Sequence, residues 1–521
     1  MKKMLKRMAA IAAAAVMTAA VAVPAWAADG YTITIQNETA NHTYEAYQVF
    51  KGDLSESTLS NVQWGDGVKG ADLLAALKAD DATKASFASV TDAAGAAKIL
   101  DGKDNDADLV KAFAQDVNKN LSTVAGTSTY NTTAKNYTIS GLAAGYYLVK
   151  DKNGTQSGND DYTRVMLEVV NNVQVNPKNS KDVPTVDKKI VENGEDKAAN
   201  DYNVGDTVSF KLTGTLPSNY ADYKTYQYKF NDTLSDGLTY DADSVKVTVG
   251  DTDVTTSFTT TADEQKLTVA CADLKKVTGV DKDSQIVVTY TAKLNNKAVL
   301  GTAVGNKNEV TVTYSNNPNN DGSGDTGTTP PKDVTVYTYE LKVTKVDGAD
   351  NKTPLAGAGF KLYKNVADGD KTGAPLAPRL AARGYKNVAD GDKTVANYAV
   401  ITDGKVSGWT TDISKATELD TTADGVIAFT GLDTGDYFLK ETKTPAGYNT
   451  TADVAVKIGT TEQNMVATTG IESMNVANNK GTVLPATGGM GTRIFTIVGI
   501  CLMAGAAVLL ITKRRMNSET K

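Results

Sequence analysis

In the C-terminal third of the chain, three strand-like segments each place one polar side chain among apolar ones. Leu341, Val343 and Lys345 share parity, as do Tyr437, Leu439 and Glu441, and as do Val476 and Asn478. Alternate residues of a strand lie on one face, so an amine, a carboxyl group and an amide are expected inside the same core. A buried charge without a partner is costly, so the three groups need one another. Desolvation lowers the lysine pKa and raises that of the carboxyl group. The neutral amine is then a nucleophile, the amide a poor electrophile, and the carboxylic acid a donor that can move protons. The product is a Lys–Asn isopeptide bond with release of ammonia, and holding the reactants in a core supplies the effective molarity. The middle of the chain repeats the parity: Val186, Lys188 and Ile190; Phe230, Asp232 and Leu234; Asn308, Val310, Val312 and Tyr314.

The elements that must hold these groups are strands. Thr, Val, Tyr, Asn, Asp and Gly dominate, and alternating segments recur between Gly/Asn/Asp turns, the pattern of β-sandwiches. The expected fold is mainly β, with tandem Ig-like β-sandwich domains and additional helices in the first. Residues 28–178 form an N-terminal domain, 181–316 a middle domain, 317–334 a linker marked by Asn, Gly and Pro330-Pro331, and 335–482 a C-terminal domain. In the N-terminal domain Leu73, Leu74 and Leu77 mark one helix. Leu109, Phe113, Val117 and Leu121 mark another, with Asp106 or Asp108 as its N-cap. The opening strand, 31–35, has no lysine, and Asp151 stands where a glutamate is expected. No crosslink is expected there, and a less stable domain follows. Residues 363–372 recur as 385–394, a local duplication extending a surface loop.

The two ends address the chain. Lys2, Lys3, Lys6 and Arg7, then an apolar run to residue 23 and Ala25-Trp26-Ala27, read as a signal peptide over 1–27. At the other end Leu484-Pro485-Ala486-Thr487-Gly488 precedes an uncharged apolar run, 494–511. That run is long enough to nearly cross a bilayer as a transmembrane helix. Lys513-Arg514-Arg515 would keep the tail, 512–521, in the cytoplasm. The net charge is −7, and each end contributes +4, so the stretch between carries −15. That surface argues against nucleic-acid binding, and three arginines (Arg164, Arg379, Arg383) leave little for phosphate. Cys501 lies in the apolar run and Cys271 is alone, so no disulfide can form in a compartment where disulfides persist. The lone histidine, His42, is expected to be exposed near a strand end. A single histidine rules out His-clustered metal sites and argues against a Ser-His-Asp or Cys-His enzyme. Asp104-Asn-Asp106-Ala-Asp108 lacks the glycine and glutamate of a calcium loop. No metal and no cofactor is expected.

The C-terminal order of motif, span and basic tail resembles the cell-wall sorting signal of Gram-positive surface proteins. In that family a sortase cuts between threonine and glycine, here Thr487 and Gly488, and passes the carboxyl group to an amine. Val343-Thr-Lys345-Val-Asp and Tyr437-Phe-Leu-Lys-Glu441-Thr-Lys-Thr-Pro445-Ala-Gly447-Tyr448 resemble the first strand and E-box of CnaB domains. The resemblance implies a Lys345–Asn478 bond promoted by Glu441, with Asn478 preferred to Asn479 by parity. The middle domain is similar to that of sortase-built backbone pilins, which implies Lys188–Asn308 with Asp232 as the acid; Lys189 and Asn306 are the neighbours to distinguish. Val173-Gln-Val175-Asn-Pro177-Lys178 resembles the pilin motif, with Asn176 where an aromatic residue usually stands. Pro177 stops strand pairing and exposes Lys178.

Together these imply a major pilin rather than an enzyme, with Thr487 of one subunit amide-bonded to Lys178 of the next. Its implied partners are identical subunits, pilus-class and housekeeping sortases, peptidoglycan and minor pilins, at the cell surface. The alternative is a monomeric wall-anchored adhesin, or a tip or base pilin, that does not use Lys178. A secreted glycan hydrolase is disfavoured: the acids form no motif, and Trp64 and Trp409 are the only tryptophans beyond the signal peptide.

Overall fold

The computed structural model describes residues 30–104, 107–154, 160–176, 183–301, 303–320, 324–367, 394–459, 470–482 and 490–518. The signal peptide, Pro177 and Lys178, the 484–488 pentapeptide and most of the duplicated segment lie outside these residues. Three β-sandwich domains follow one another, and a helix, Met490–Ser518, ends the chain. Ile494–Arg515 is long and apolar enough to cross a membrane, with mean hydropathy 2.7.

The first domain packs two sheets. In one, Tyr31–Ile35 lies between Asn136–Leu142, antiparallel, and Val173–Val175, parallel. In the other, Tyr44–Ser55 and Gly145–Asp151 are central. Helices Gly70–Ala79, Lys84–Phe87, Ala93–Leu100 and Asp108–Lys119 cover the second sheet. Leu73, Leu77, Phe87, Phe113 and Val117 meet Phe50, Leu148 and Met166 there. The expected cap of the last helix is corrected. Asp108 is its first residue, the cap position is Ala107 with no side-chain bond, and Asp106 is not among the described residues. Leu121 lies past the helix end, where it bridges to Val68.

The middle domain faces two sheets across one core. The first is built on Val186–Glu192, Thr207–Gly214, Ile286–Leu294 and Leu238–Val249. The second is built on Lys332–Tyr337, Asn306–Ser315, Tyr228–Leu234 and Lys266–Cys271. The linker expected at 317–334 is therefore in part sheet. Thr326–Thr328 and Lys332–Tyr337 both pair with Asn306–Ser315. Val334 and Val336 alternate into the core, a period-2 signal too short to stand out beside the Pro/Gly-rich stretch before it. The third domain begins at Tyr339, with a single residue between it and the middle domain's last strand, which ends at Tyr337. That residue, Thr338, is fully buried, and its hydroxyl donates to Leu432 O at 3.2 Å.

In the third domain one curled sheet runs from Val454–Ile458 through Gly435–Lys443 and Gly359–Ala367 to Tyr339–Asp347 and Ile471–Asn478. The opening strand pairs with the closing strand in parallel. Hydrogen bonds cross both domain junctions. Gln115 Nε2 donates to Asp222 O at 2.7 Å, and Tyr162 N to Asn316 O at 2.8 Å, across the first junction. Thr434 Oγ1 donates to Asp201 at 2.9 Å, and Lys405 Nζ to Ala298 O at 2.8 Å, across the second.

Candidate functional site: two buried clusters of lysine, acid and asparagine

Lys345 lies near the end of Tyr339–Asp347, beside the closing strand, in a register that pairs Lys345 with Val476 and Asp347 with Asn478. Both side chains turn inward with no more than 1% exposure. Glu441 enters from the Gly435–Lys443 strand, where it pairs with Phe360. The loop before Val426 presses on the lysine backbone: Lys345 N donates to Gly425 O at 2.7 Å. Gly425 has φ +71°, and a Cβ there would lie 2.6 Å from Lys345 O, so only glycine closes this contact.

In this cluster Lys345 Nζ donates to Asn478 Oδ1 and lies 3.3 Å from Glu441 Oε1. Asn478 Nδ2 donates to the same Oε1 at 2.7 Å. The second oxygen, Oε2, accepts from Thr451 N at 2.7 Å, which fixes the carboxyl plane. The Phe360 ring closes the other side, 5.2 Å from Nζ. Burial lowers the lysine pKa, and Glu441 offsets that only in part.

The middle cluster joins the two facing sheets. Lys188 comes from one sheet, and Asp232 and Asn308 come from adjacent strands of the other. All three are at most 2% exposed. Lys188 Nζ donates to Asp232 Oδ2 and to Asn308 Oδ1 at 2.8 Å. The rings of Phe210 and Tyr290 flank it at 5.5 and 5.6 Å. Burial pushes the lysine down to about 8, against the pull of Asp232. Burial likewise pushes the Asp232 carboxyl up, against Lys188. Both shifts favour the uncharged pair, a free amine beside a carboxylic acid.

A fourth residue, absent from the sequence-based assignment, sits among these three. Tyr290 OH accepts from Lys188 Nζ at 3.1 Å and from Asn308 Nδ2 at 2.6 Å, and donates to Asp232 Oδ1 at 3.0 Å. Its parity with Val288 and Ala292 was readable, but 23 tyrosines offered no reason to choose it.

The neighbours separate cleanly. Lys189 points outward to Asp187 at 3.3 Å. Asn306 is buried but holds Val299 N and O and Val336 O, which ties down its own loop. Asn479 faces the backbone around Gly348.

The first domain has a different cluster. His42 is buried, contrary to the exposed position expected of it. Its Nδ1 lies 2.8 Å from Asp151 Oδ1 and its Nε2 3.5 Å from Asp160 Oδ2. It stacks on Tyr44 at 5.7 Å. The reason is the carboxylate of Asp151, fully buried in the strand beside it, which needs a donor; Thr163 N and Oγ1 supply two more, each at 2.7 Å. Burial pushes His42 down, but the two carboxylates outweigh it, and its pKa is raised. Lys150 Nζ donates to Asn118 Oδ1 at 3.0 Å. Among the described residues no carboxylate is hydrogen-bonded to either member of that pair. Lys178, Leu484, Pro485, Ala486, Thr487 and Gly488 lie outside the described residues.

Three family models match separate stretches of the chain. Residues 204–318 match the Gram-positive pilin backbone subunit 2, Cna-B-like domain. Residues 339–472 match SpaA, the prealbumin-like fold domain, and 477–518 match the LPXTG cell wall anchor motif. The trypsin-resistant surface T6 protein of Streptococcus pyogenes serotype M6 is 25% identical over 385 residues, 64% of this chain and 69% of that one. Fimbrial subunit type 2 of Actinomyces naeslundii is 29% identical over 375 residues, 67% of this chain and 63% of that one. The solved T6 backbone pilin of serotype M6 S. pyogenes shares the fold. Its TM-score is 0.51 at 16% identity, over 87% of this chain and 99% of that one.

Proposed function

From the premise that the chain is a cell-wall-anchored surface protein built of Gram-positive pilin domains, we propose that it forms the shaft of a covalently polymerised pilus. The observation that carries this is the pair of closed clusters. Each brings a buried amine onto a buried amide with a carboxyl group beside it.

In the third domain the neutral Lys345 amine attacks Asn478 Cγ, and the carbonyl π pair moves to Oδ1. Glu441 Oε1 touches both nitrogens. It takes a proton from Nζ and returns one to Nδ2. The C–N bond to Nδ2 breaks, ammonia leaves, and an amide joins the first and last strands. Lys188 and Asn308 react in the same way, with Asp232 as the acid. Each bond forms once, so the protein is a structural unit and turns over no substrate.

Between subunits, a sortase acting at 484–488 would carry the Thr487 carbonyl to Lys178 of the next copy. Identical subunits then chain without branching, and the last is passed to peptidoglycan. Lys178→Ala, followed by denaturing electrophoresis of cell-wall extracts, tests this assembly. Loss of the high-mass ladder supports a shaft subunit. A ladder that persists assigns the chain to the monomeric adhesin or the tip or base pilin instead.

A further inference from the structure

The two clusters connect acid to amide differently, and that difference assigns a role to Tyr290. Glu441 reaches both nitrogens of its cluster with one oxygen. Asp232 is one methylene shorter. Its Oδ2 meets Lys188 Nζ, and its Oδ1 meets Tyr290 OH. The amide nitrogen of Asn308 meets Tyr290 OH as well, at 2.6 Å. The hydroxyl therefore fills the space between acid and leaving group.

We propose that Tyr290 is a catalytic residue of the middle domain, a proton relay between Asp232 and the departing nitrogen of Asn308. This rests on the amide-forming reading above. The step balances as follows. Lys188 Nζ bonds to Asn308 Cγ and gives one proton to Asp232 Oδ2. With Asp232 starting as the neutral acid, its proton on Oδ1, Tyr290 swings its hydroxyl hydrogen from Oδ1 to Nδ2 and delivers it there while Oδ1 passes its proton to Tyr290 O. The Cγ–Nδ2 bond breaks with its electron pair on nitrogen, Oδ1 recovers the carbonyl, and ammonia leaves. Tyr290 ends as a phenol again, and Asp232 ends as the neutral acid with its proton on Oδ2 in place of Oδ1. Tyr290 suits the task because burial raises its pKa well above the ordinary tyrosine range, so it remains a phenol while the pair beside it shuffles protons. Phe210 stacks on its ring at 5.3 Å, which holds the hydroxyl in place.

The variant Tyr290→Phe keeps the ring and removes the relay. Intact mass of freshly purified ectodomain, followed over time, reads the loss of each ammonia, and peptide mapping assigns it. General acid–base groups contribute typically 10²–10⁴-fold. Tyr290→Phe is expected to slow the Lys188–Asn308 bond by at least about a hundredfold, while Lys345–Asn478 completes in the same molecules. The double variant Tyr290→Phe/Asp232→Glu supplies the longer acid seen in the third domain and is expected to restore the bond. A hydroxyl needed only for packing would gain nothing from that methylene. Full-rate bond formation in Tyr290→Phe overturns the relay, as does failure of the longer acid to rescue a variant that still folds by circular dichroism. If the parent protein shows no middle-domain bond at all, it is the amide-forming reading that falls.

Discussion

The first and third domains contain nearly the same phrase and use it for different ends. Residues 141–151 read Gly-Leu-Ala-Ala-Gly-Tyr-Tyr-Leu-Val-Lys-Asp, and 431–441 read Gly-Leu-Asp-Thr-Gly-Asp-Tyr-Phe-Leu-Lys-Glu. Each ends in a buried acid at the same distance from its glycines, Asp151 and Glu441. The opening strands also match in register, Tyr31 against Leu142 and Tyr339 against Leu432, with an irregularity just after the first pair in both. Six residues on, the third domain has Lys345 and the first has Asn37. Asn37 donates to Tyr44 OH at 2.8 Å, and Asp151 turns to His42. The fold alone thus keeps a place for the acid. What that acid does is decided by the residue that the neighbouring strand presents.

The largest test of this contrast removes the acid where it has a lysine. Glu441→Gln and Asp232→Asn are each expected to leave one ammonia in the intact mass, which in the parent is expected to fall short by two. Each bond would close a loop of more than 100 residues, 133 and 120 positions apart. Its loss is expected to lower the stability of its domain by roughly 4–5 kcal/mol on a chain-entropy account, read by thermal or denaturant unfolding. Unchanged masses in both variants would remove the acid from the chemistry.

A second test asks whether amine and amide suffice without an acid. The pair Lys150–Asn118 is such a case. Burial lowers the lysine pKa there too. Glu45, its cross-strand neighbour, is engaged by Tyr47 at 2.8 Å and Lys152 at 3.5 Å. Peptide mapping is expected to find Lys150 free, and limited proteolysis to cut the first domain before the other two. A Lys150–Asn118 linkage would break the comparison outright.

A smaller effect comes from the amine itself. In Asn308→Ala the lysine cannot react. With its folded pKa about 8 against an ordinary value of 10.5, the unfolded chain binds more protons between those values. Middle-domain stability is expected to rise with pH across that window. A flat profile would mean that Lys188 is not desolvated.

The smallest concerns His42. Its raised pKa means that the folded first domain holds a proton the unfolded chain gives up. The resulting stability is present in full below the ordinary value near 6.5 and fades as pH rises through the folded pKa. As the only histidine, it gives a single imidazole titration by NMR, expected to have its midpoint above 6.5. His42→Gln should abolish the pH dependence of first-domain unfolding in that window.

Much of this was legible from residue parity. Lys188, Asp232, Asn308, Lys345, Glu441 and Asn478 each interrupt an apolar face, and the strands deliver them where that alternation points. Tyr290 was not legible, because a tyrosine among core residues looks like any other until its hydroxyl is seen to have three partners. His42 failed for a related reason: it lies outside any strand, so no period placed it, and its burial follows from Asp151, more than 100 positions away. The strands within 317–334 were hidden by their neighbours, since Asn, Gly and Pro mark turns and short pairings between turns leave little pattern.

The single-residue passage from Tyr337 to Tyr339 has a mechanical consequence. With both amides formed, a pull between Lys178 and Thr487 would run from 178 to 188, cross to 308, continue through Thr338 to 345, cross to 478 and leave. Residues 189–307 and 346–477 would carry no load. The first domain, upstream of Lys178, would hang beside the line of tension and need no reinforcement. The stretch that does carry it folds back on itself, with Asn308 paired to Val334. Tension there would peel that hairpin one pair at a time, making it the place where a shaft of such subunits gives before it breaks.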